Sequence, residues 1–242
     1  MGSPLVLAVI PARFAAQRFP GKPLALLWGR PLLQHVWERA RGAPGLDELV
    51  IATDDDRIAT AARGWGATVM MTSPACASGT DRVAEVARGR PGVDLVLNLQ
   101  GDEPELDAAA VGLLVHALRA DPDIRMGTLA HAEPDEAALR APHVVKVGVD
   151  GDGFALYFTR RWPVPEPRGV LLRHVGVYAF RSDFLLEFAG WPPGPTEQEE
   201  RLEQLRALER GVRIRVVSGS RAGVGVDTPE QLEALERRGP RA

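Results

Sequence analysis

Lysine is almost missing from this chain. Of its 29 Lys and Arg residues only Lys22 and Lys146 are lysines, so nearly every positive charge is a planar guanidinium. Cysteine is just as scarce. A single Cys76 excludes an intramolecular disulfide and a cysteine zinc cluster, and fits a reducing compartment. One asparagine, Asn98, in an Arg-, Ala- and Gly-rich chain suits GC-biased coding and a thermostable protein. No apolar run approaches the roughly 20 residues that span a bilayer, and the start of the chain has no basic segment ahead of a signal core. A cytoplasmic protein is expected. Net charge is −3, so no broad basic field for nucleic acid exists.

What is present is an ordinary globular composition, 45% hydrophobic and 25% charged over 242 residues, enough for one large α/β domain or one with a small appendage. Leu5–Ile10 is a continuous apolar run of strand length, as in a strand buried on both faces. Pro31 opens a helix through Arg41, with Leu32, Leu33, Val36, Trp37 and Ala40 at helical spacing. A strand at Leu49–Ala52, a helix over Asp56–Arg63 and a strand at Ala67–Met71 follow. Thr80 is placed to cap a helix from Asp81 to Arg88. Then come a strand at Asp94–Leu99, a helix from Asp107 to Ala120 and a strand at Met126–Ala130. This alternation predicts a doubly wound, mostly parallel α/β sheet.

The pattern changes near residue 143. Val144–Val149 and Phe154–Phe158 flank Asp150-Gly151-Asp152-Gly153, a hairpin signal. His174–Phe180 reads as a strand, beyond a Pro-rich link at Trp162–Pro167. Residues 144–181 are read as a smaller β-rich subregion that covers the site or meets another subunit. Residues 1–143 and 182–242 are read as the nucleotide-binding core. Glu197–Arg210 reads as one helix, Val212–Val217 as a strand, and Thr228-Pro229 as the cap and start of a last helix.

The scarce Lys22 lies in the loop that follows the first strand. In open α/β sheets ligands bind beyond the carboxyl ends of the strands. Prolines 11, 20 and 23 stiffen the loop, Gly21 lets backbone approach a ligand, and Arg13, Arg18 and Lys22 supply cations for phosphate oxygens. Neither GxxxxGK[ST] nor GxGxxG occurs. Gln100-Gly101-Asp102-Glu103-Pro104 ends a buried strand, where Asp102 is either a turn residue or helix cap or a Mg²⁺ ligand. Asp227, just before the Thr228 cap, either complements a helix dipole or supplies a second carboxylate to the same ion. Ser78-Gly79-Thr80-Asp81-Arg82 enters a helix N-terminus, a common place for anions. Tyr157, Tyr178, Arg160, His174, Glu203 and Gln204 are the notable polar residues of the second half. Lys146 reads as structural or interfacial.

Together and in order, these segments resemble the 3-deoxy-manno-octulosonate (KDO) cytidylyltransferases. The segments are Arg13 with Arg18-Phe19-Pro20-Gly21-Lys22-Pro23-Leu24, Ser78–Arg82, Gln100–Pro104, Ala155–Arg160, Leu172–Tyr178, Leu202–Arg206 and Gly225–Glu230. The likeness runs from about Leu5 to Leu235. It implies a nucleotide-diphospho-sugar transferase fold, a homodimer, and transfer of CMP from CTP to the sugar acid within lipopolysaccharide synthesis. It also implies that Ala12, Arg13, Arg18, Lys22, Ser78, Thr80 and Asp102 bind the nucleotide. Asp102 and Asp227 would hold Mg²⁺, and Lys22, Arg13, Asp102 and Asp227 would carry catalysis. Gln100, Arg160, His174, Tyr178, Glu203 and Gln204 would surround the sugar acid. Gln17 stands where a small hydroxyl residue is usual and Thr159 where Ser is common. The segment between Arg160 and His174 is shorter than in familiar members. A cytidylyltransferase for another sugar acid, or a non-catalytic nucleotide-binding relative, is the alternative reading.

Overall fold

The computed structural model describes residues 5–15, 18–162, 170–219 and 223–240. Its elements run β1 (Leu5–Ala12), β2 (Leu26–Leu27), β3 (Arg30–Pro31), α1 (Leu32–Ala40), β4 (Glu48–Thr53), α2 (Asp56–Gly64), β5 (Thr68–Met71), α3 (Gly79–Arg88) and β6 (Val93–Asn98). They continue with α4 (Ala108–Ala120), β7 (Met126–His131), α5 (Glu136–Arg140), β8 (Lys146–Val149), β9 (Ala155–Thr159), β10 (Val170–Arg181) and α6 (Ser182–Ala189). The last are α7 (Pro195–Glu200), α8 (Leu205–Glu209), β11 (Ile214–Ser218) and α9 (Pro229–Arg238).

The main sheet has the order β11-β7-β10-β6-β1-β4-β5. β1 pairs in parallel with β4 and β6, β4 with β5, and β7 with β11. Only β10 breaks the pattern, lying antiparallel between β6 and β7. Alternate side chains of β1 enter two cores. Val6, Ala8 and Ile10 pack with Leu33, Val36, Ile58 and Leu114 on one face. Leu7 and Val9 pack with Val83, Phe184 and Leu185 on the other. Burial on both faces is why β1 reads as an unbroken apolar run rather than an alternating one.

β10 is shared. Its second half, Tyr178–Arg181, pairs with β6, whereas Val170–Arg173 pairs with β8. β8 and β9 form the expected hairpin. Its turn is set by Asp150, whose Oδ1 accepts from the N–H groups of Asp152 and Phe154 at 2.9 and 2.8 Å. The Pro-rich link falls largely in 163–169, outside the described residues.

Two local expectations are corrected. The helix read over Glu197–Arg210 is broken: α7 ends at Glu200, Arg201 follows with φ 55°, and α8 restarts at Leu205. A buried ion pair explains the break. Arg206 binds Glu197 through two of its three guanidinium nitrogens, Nε to Oε2 at 2.8 Å and Nη2 to Oε1 at 2.6 Å. In a continuous helix residues nine apart lie about 13.5 Å apart along the axis, too far to pair. Glu197→Ala removes the two short bonds of a buried guanidinium, which keeps Glu203 at 3.7 Å and the Trp191 carbonyl at 3.2 Å, and should cost about 1.5–3 kcal/mol of stability, read by urea unfolding. Loss near zero would mean that the break has another cause. The start of α3 also differs from the expectation. Its cap is Ser78, not Thr80: Ser78 accepts from the Asp81 N–H while Asp81 accepts from the Ser78 N–H. That reciprocal pair satisfies two orphan donors at once and leaves Thr80 to turn inward, where it is 3% exposed.

Candidate active site

The Lys22 loop leaves the carboxyl end of β1 at the centre of the sheet. Gly21 has φ 75° and donates its N–H to the Phe14 carbonyl at 2.8 Å. A Cβ there would lie 3.1 Å from the Phe14 ring, in a backbone conformation that L residues resist. The loop thus folds back on Phe14 and starts a short 3₁₀ turn at Lys22–Leu24. The Lys22 ammonium then points at three oxygens. It donates to Asp102 Oδ2 at 2.7 Å, to the Val226 carbonyl at 2.9 Å and to Asp227 Oδ1 at 3.5 Å. Arg18 reaches the same Asp227 Oδ1 at 3.0 Å.

Two carboxylates 125 residues apart are therefore joined by one lysine. What carries Asp227 there is a small apolar cluster. Val226, fully buried, packs with Leu27, Leu32 and Leu235, so α9 is anchored beside the β2–β3 hairpin. The Val226 N–H also donates to the Asp102 carbonyl at 2.9 Å. Thr228 caps α9 with Gln231, which in turn accepts from the Asp227 N–H at 2.6 Å.

These groups face a cavity of about 970 Å³. Ala12, Arg13, Arg18, Lys22, Ser78, Gln100, Asp102, Arg160 and Asp227 all lie on its wall. Thr80, Tyr178, Glu203 and Gln204 do not. Thr80 donates its hydroxyl to Glu203 Oε2 and accepts from Asn98 Nδ2 at 3.2 Å. Burial pushes the Glu203 carboxyl up against the pull of Thr80 and Arg206. Gln204 is 3% exposed. Tyr178 tilts against His174, with ring centroids 5.5 Å apart, and burial next to Glu203 and Glu103 pushes its phenol up.

His174 borders a second, small cavity of about 70 Å³. Its Nε2 shares a hydrogen bond with the Thr128 hydroxyl at 3.0 Å. Burial, helped by the positive charge of Arg160, pushes the imidazole down to about 3 from an ordinary 6.5. Below 6.5 the unfolded chain takes up a proton that the native imidazole refuses, so this group removes stability progressively as pH falls from 6.5 to about 3. His174→Gln should flatten the stability profile on that acid limb and leave it unchanged above neutrality, as measured by urea unfolding across pH. A variant profile parallel to the wild type would refute the buried neutral imidazole.

Several wall residues were given no role of their own by the sequence. Arg82 is fixed by Asp54 at 3.0 Å and by the Thr72 hydroxyl, and it is 3% exposed yet borders the cavity. Arg161, Glu199, Glu200 and Arg201 complete the rim. Glu199 and Glu200 are the last two residues of the short α7, whose C-terminal end borders the site. Glu103 is held beside Gly176, and burial plus the Asp102 charge raise its carboxyl to about 7. Only its place after Asp102 marked it. Among the described residues no group of three or more His, Cys, Asp or Glu side chains is arranged to hold a metal.

The wall thus mixes a row of cations with two facing aspartates at the carboxyl edge of a parallel sheet, the arrangement of a nucleotide-transfer site. Residues 7–214 match the model of the cytidylyltransferase family. A 3-deoxy-manno-octulosonate cytidylyltransferase of an Anaeromyxobacter species is 53% identical over 98% of this chain and 98% of its own length. One of the same name from Myxococcus xanthus is 50% identical over 98% and 97%. The solved structure of a CMP:2-keto-3-deoxy-manno-octonic acid synthetase complexed with CTP superposes with a TM-score of 0.90 at 41% identity, covering 97% of this chain and 98% of that one. The chain belongs to the 3-deoxy-manno-octulosonate cytidylyltransferase family.

Proposed function

We infer that the protein transfers CMP from CTP to the anomeric hydroxyl of KDO, giving CMP-KDO and pyrophosphate. One observation carries this reading: the family's characteristic residues Arg13, Arg18, Lys22, Gln100, Asp102, Arg160 and Asp227 meet on the wall of one cavity. In the reaction the hydroxyl oxygen bonds to the α-phosphorus while the bond to the bridging oxygen of pyrophosphate breaks. Such a step needs little covalent help from protein, so positioning and charge stabilisation dominate.

Arg13, Arg18 and Lys22 are assigned to the triphosphate, with Lys22 and Arg13 stabilising charge on the departing pyrophosphate. Ala12 and Ser78 line the nucleotide end, and Thr80 supports it from behind. Gln100 and Arg160 face the sugar acid, whose carboxylate suits a guanidinium. His174, Tyr178, Glu203 and Gln204 form the shell behind that end. Mg²⁺ suits the donor set, because two carboxylates and a main-chain carbonyl already gather about one cation, the Lys22 ammonium. All three are hard oxygen donors, and Mg²⁺ uses one or two carboxylates together with substrate phosphates. Asp102 and Asp227 would hold it, and it would supply neutralisation of phosphate charge and polarisation of the reacting phosphorus.

The reading extends to a cytoplasmic homodimer acting in lipopolysaccharide synthesis. The exposed Leu156 on β9 and Val170 on β10, the two strands that flank β8, support a contact through residues 144–181. No helix among the described residues is long and apolar enough to cross a membrane. Pyrophosphate release in the presence of KDO, compared across ATP, GTP, UTP and CTP, tests the nucleotide. CTP is expected to be used at least 100-fold better than the others, since a site that hydrogen-bonds a base rejects those that leave its groups unpaired. Equal use of UTP would contradict the reading.

A further inference from the structure

Lys146, the second of the two lysines, is completely buried. Its ammonium makes no ion pair within 4 Å among the described residues. Instead it donates to three main-chain carbonyls: Val144 at 3.0 Å, Ala141 at 3.3 Å and Arg160. Taking an ammonium out of water is costly, and a methionine of similar length would fill the same space without that cost. The Arg160 main chain is also held on its N–H side. Its N–H donates to Glu200 Oε2 at 3.1 Å, and the neighbouring Thr159 hydroxyl donates to Glu200 Oε1 at 3.3 Å. The Arg160 side chain then reaches only as far as the His143 carbonyl, at 3.0 Å, and borders the large cavity.

We propose that Lys146 and Glu200 are positioning residues for Arg160, a cation holding its carbonyl and an anion its N–H, so that the guanidinium meets the carboxylate of the sugar acid in a fixed place. This rests on the assignment of Arg160 to the sugar acid. A guanidinium fork discriminates through geometry as well as charge. A main chain free to shift by an ångström would forfeit much of that gain. Glu200 is the last residue of α7, next to the break at Arg201.

A double-mutant cycle on the full-length enzyme, with KM measured for each substrate, tests this. Lys146→Met is expected to raise the KM for KDO about 10-fold or more while the KM for CTP stays within about 2-fold. In an Arg160→Ala background the same substitution should shift the KM for KDO by less than about 2-fold. The proposal is overturned if the KM for KDO does not move, if both substrates suffer alike, or if the effect persists in the Arg160→Ala background, as a general loss of packing would produce. If Lys146→Met does not fold, Glu200→Gln carries the same cycle, since an amide cannot accept at both of its ends. Should Arg160→Ala alone leave the KM for KDO unchanged, the assignment of Arg160 fails and this inference with it. An effect of Arg160→Ala without one from Lys146→Met or Glu200→Gln removes the positioning role only.

Discussion

Asp102→Asn is expected to lower turnover by about 10²–10³-fold, the scale of losing one well-placed electrostatic group from a transition state. The Asp102 carboxylate is 28% exposed and its Oδ2 lies 2.7 Å from the Lys22 ammonium. Asparagine keeps the shape and the main-chain bond to Val226 but removes the charge. Stability should stay within about 1 kcal/mol, because the pair is partly solvated and Lys22 retains the Val226 carbonyl and Asp227. With Mg²⁺ held by Asp102 and Asp227 as proposed, activity in the variant should rise only at much higher metal concentrations. A variant with wild-type turnover and an unchanged metal titration would remove Asp102 from the proposed ion site. A variant that merely unfolds would instead make Asp102 a structural residue.

Lys22→Ala should cost roughly 3 kcal/mol in the barrier, about 10²-fold in turnover at saturating substrates. Two effects combine. The ammonium no longer meets charge on the departing pyrophosphate, and Asp102 and Asp227 lose the cation they share. Lys22→Arg should rescue poorly. The ammonium is a compact point charge with three donors, and here it touches three oxygens at once, whereas a planar guanidinium presents a fork. Near-normal turnover of Lys22→Ala would refute its assignment to the triphosphate. The exposed Arg18, 70% accessible, contacts only Asp227 Oδ1 among the described residues and should matter less.

Lys22 was legible because the chain almost never uses lysine, and its place after a buried strand gave the rarity a meaning. The sheet itself was legible from apolar runs such as Leu5–Ile10, because burial on both faces leaves no polar alternation. The joining of Asp102 to Asp227 was not. It depends on Val226 entering a cluster with Leu27, Leu32 and Leu235, and nothing local signals contacts across 200 residues. The break at Arg201 was hidden for a similar reason. Leu202, Leu205 and Leu208 keep helical spacing, and no Gly or Pro interrupts them. The deciding force is a buried pair nine residues apart, invisible to any periodicity. Thr80 misled because two hydroxyl residues stand at the entrance to α3. Asp81, three places after Ser78, settles which of them caps, and Thr80 is left to bind Glu203 and Asn98. Lys146 shows the limit of rarity as a signal. Both scarce lysines are held by main-chain carbonyls, but one faces a cavity and the other is sealed inside the sheet.

The match between this cavity and its two substrates is measured most directly by comparing kcat/KM for sugar acids at saturating CTP by pyrophosphate release. KDO should support turnover with CMP-KDO as the product, and N-acetylneuraminate should be slower by about 100-fold or more, since a site built around fixed hydrogen bonds rejects substrates that leave them unmade. Equal or faster turnover with N-acetylneuraminate, or no pyrophosphate release with KDO, would contradict the account.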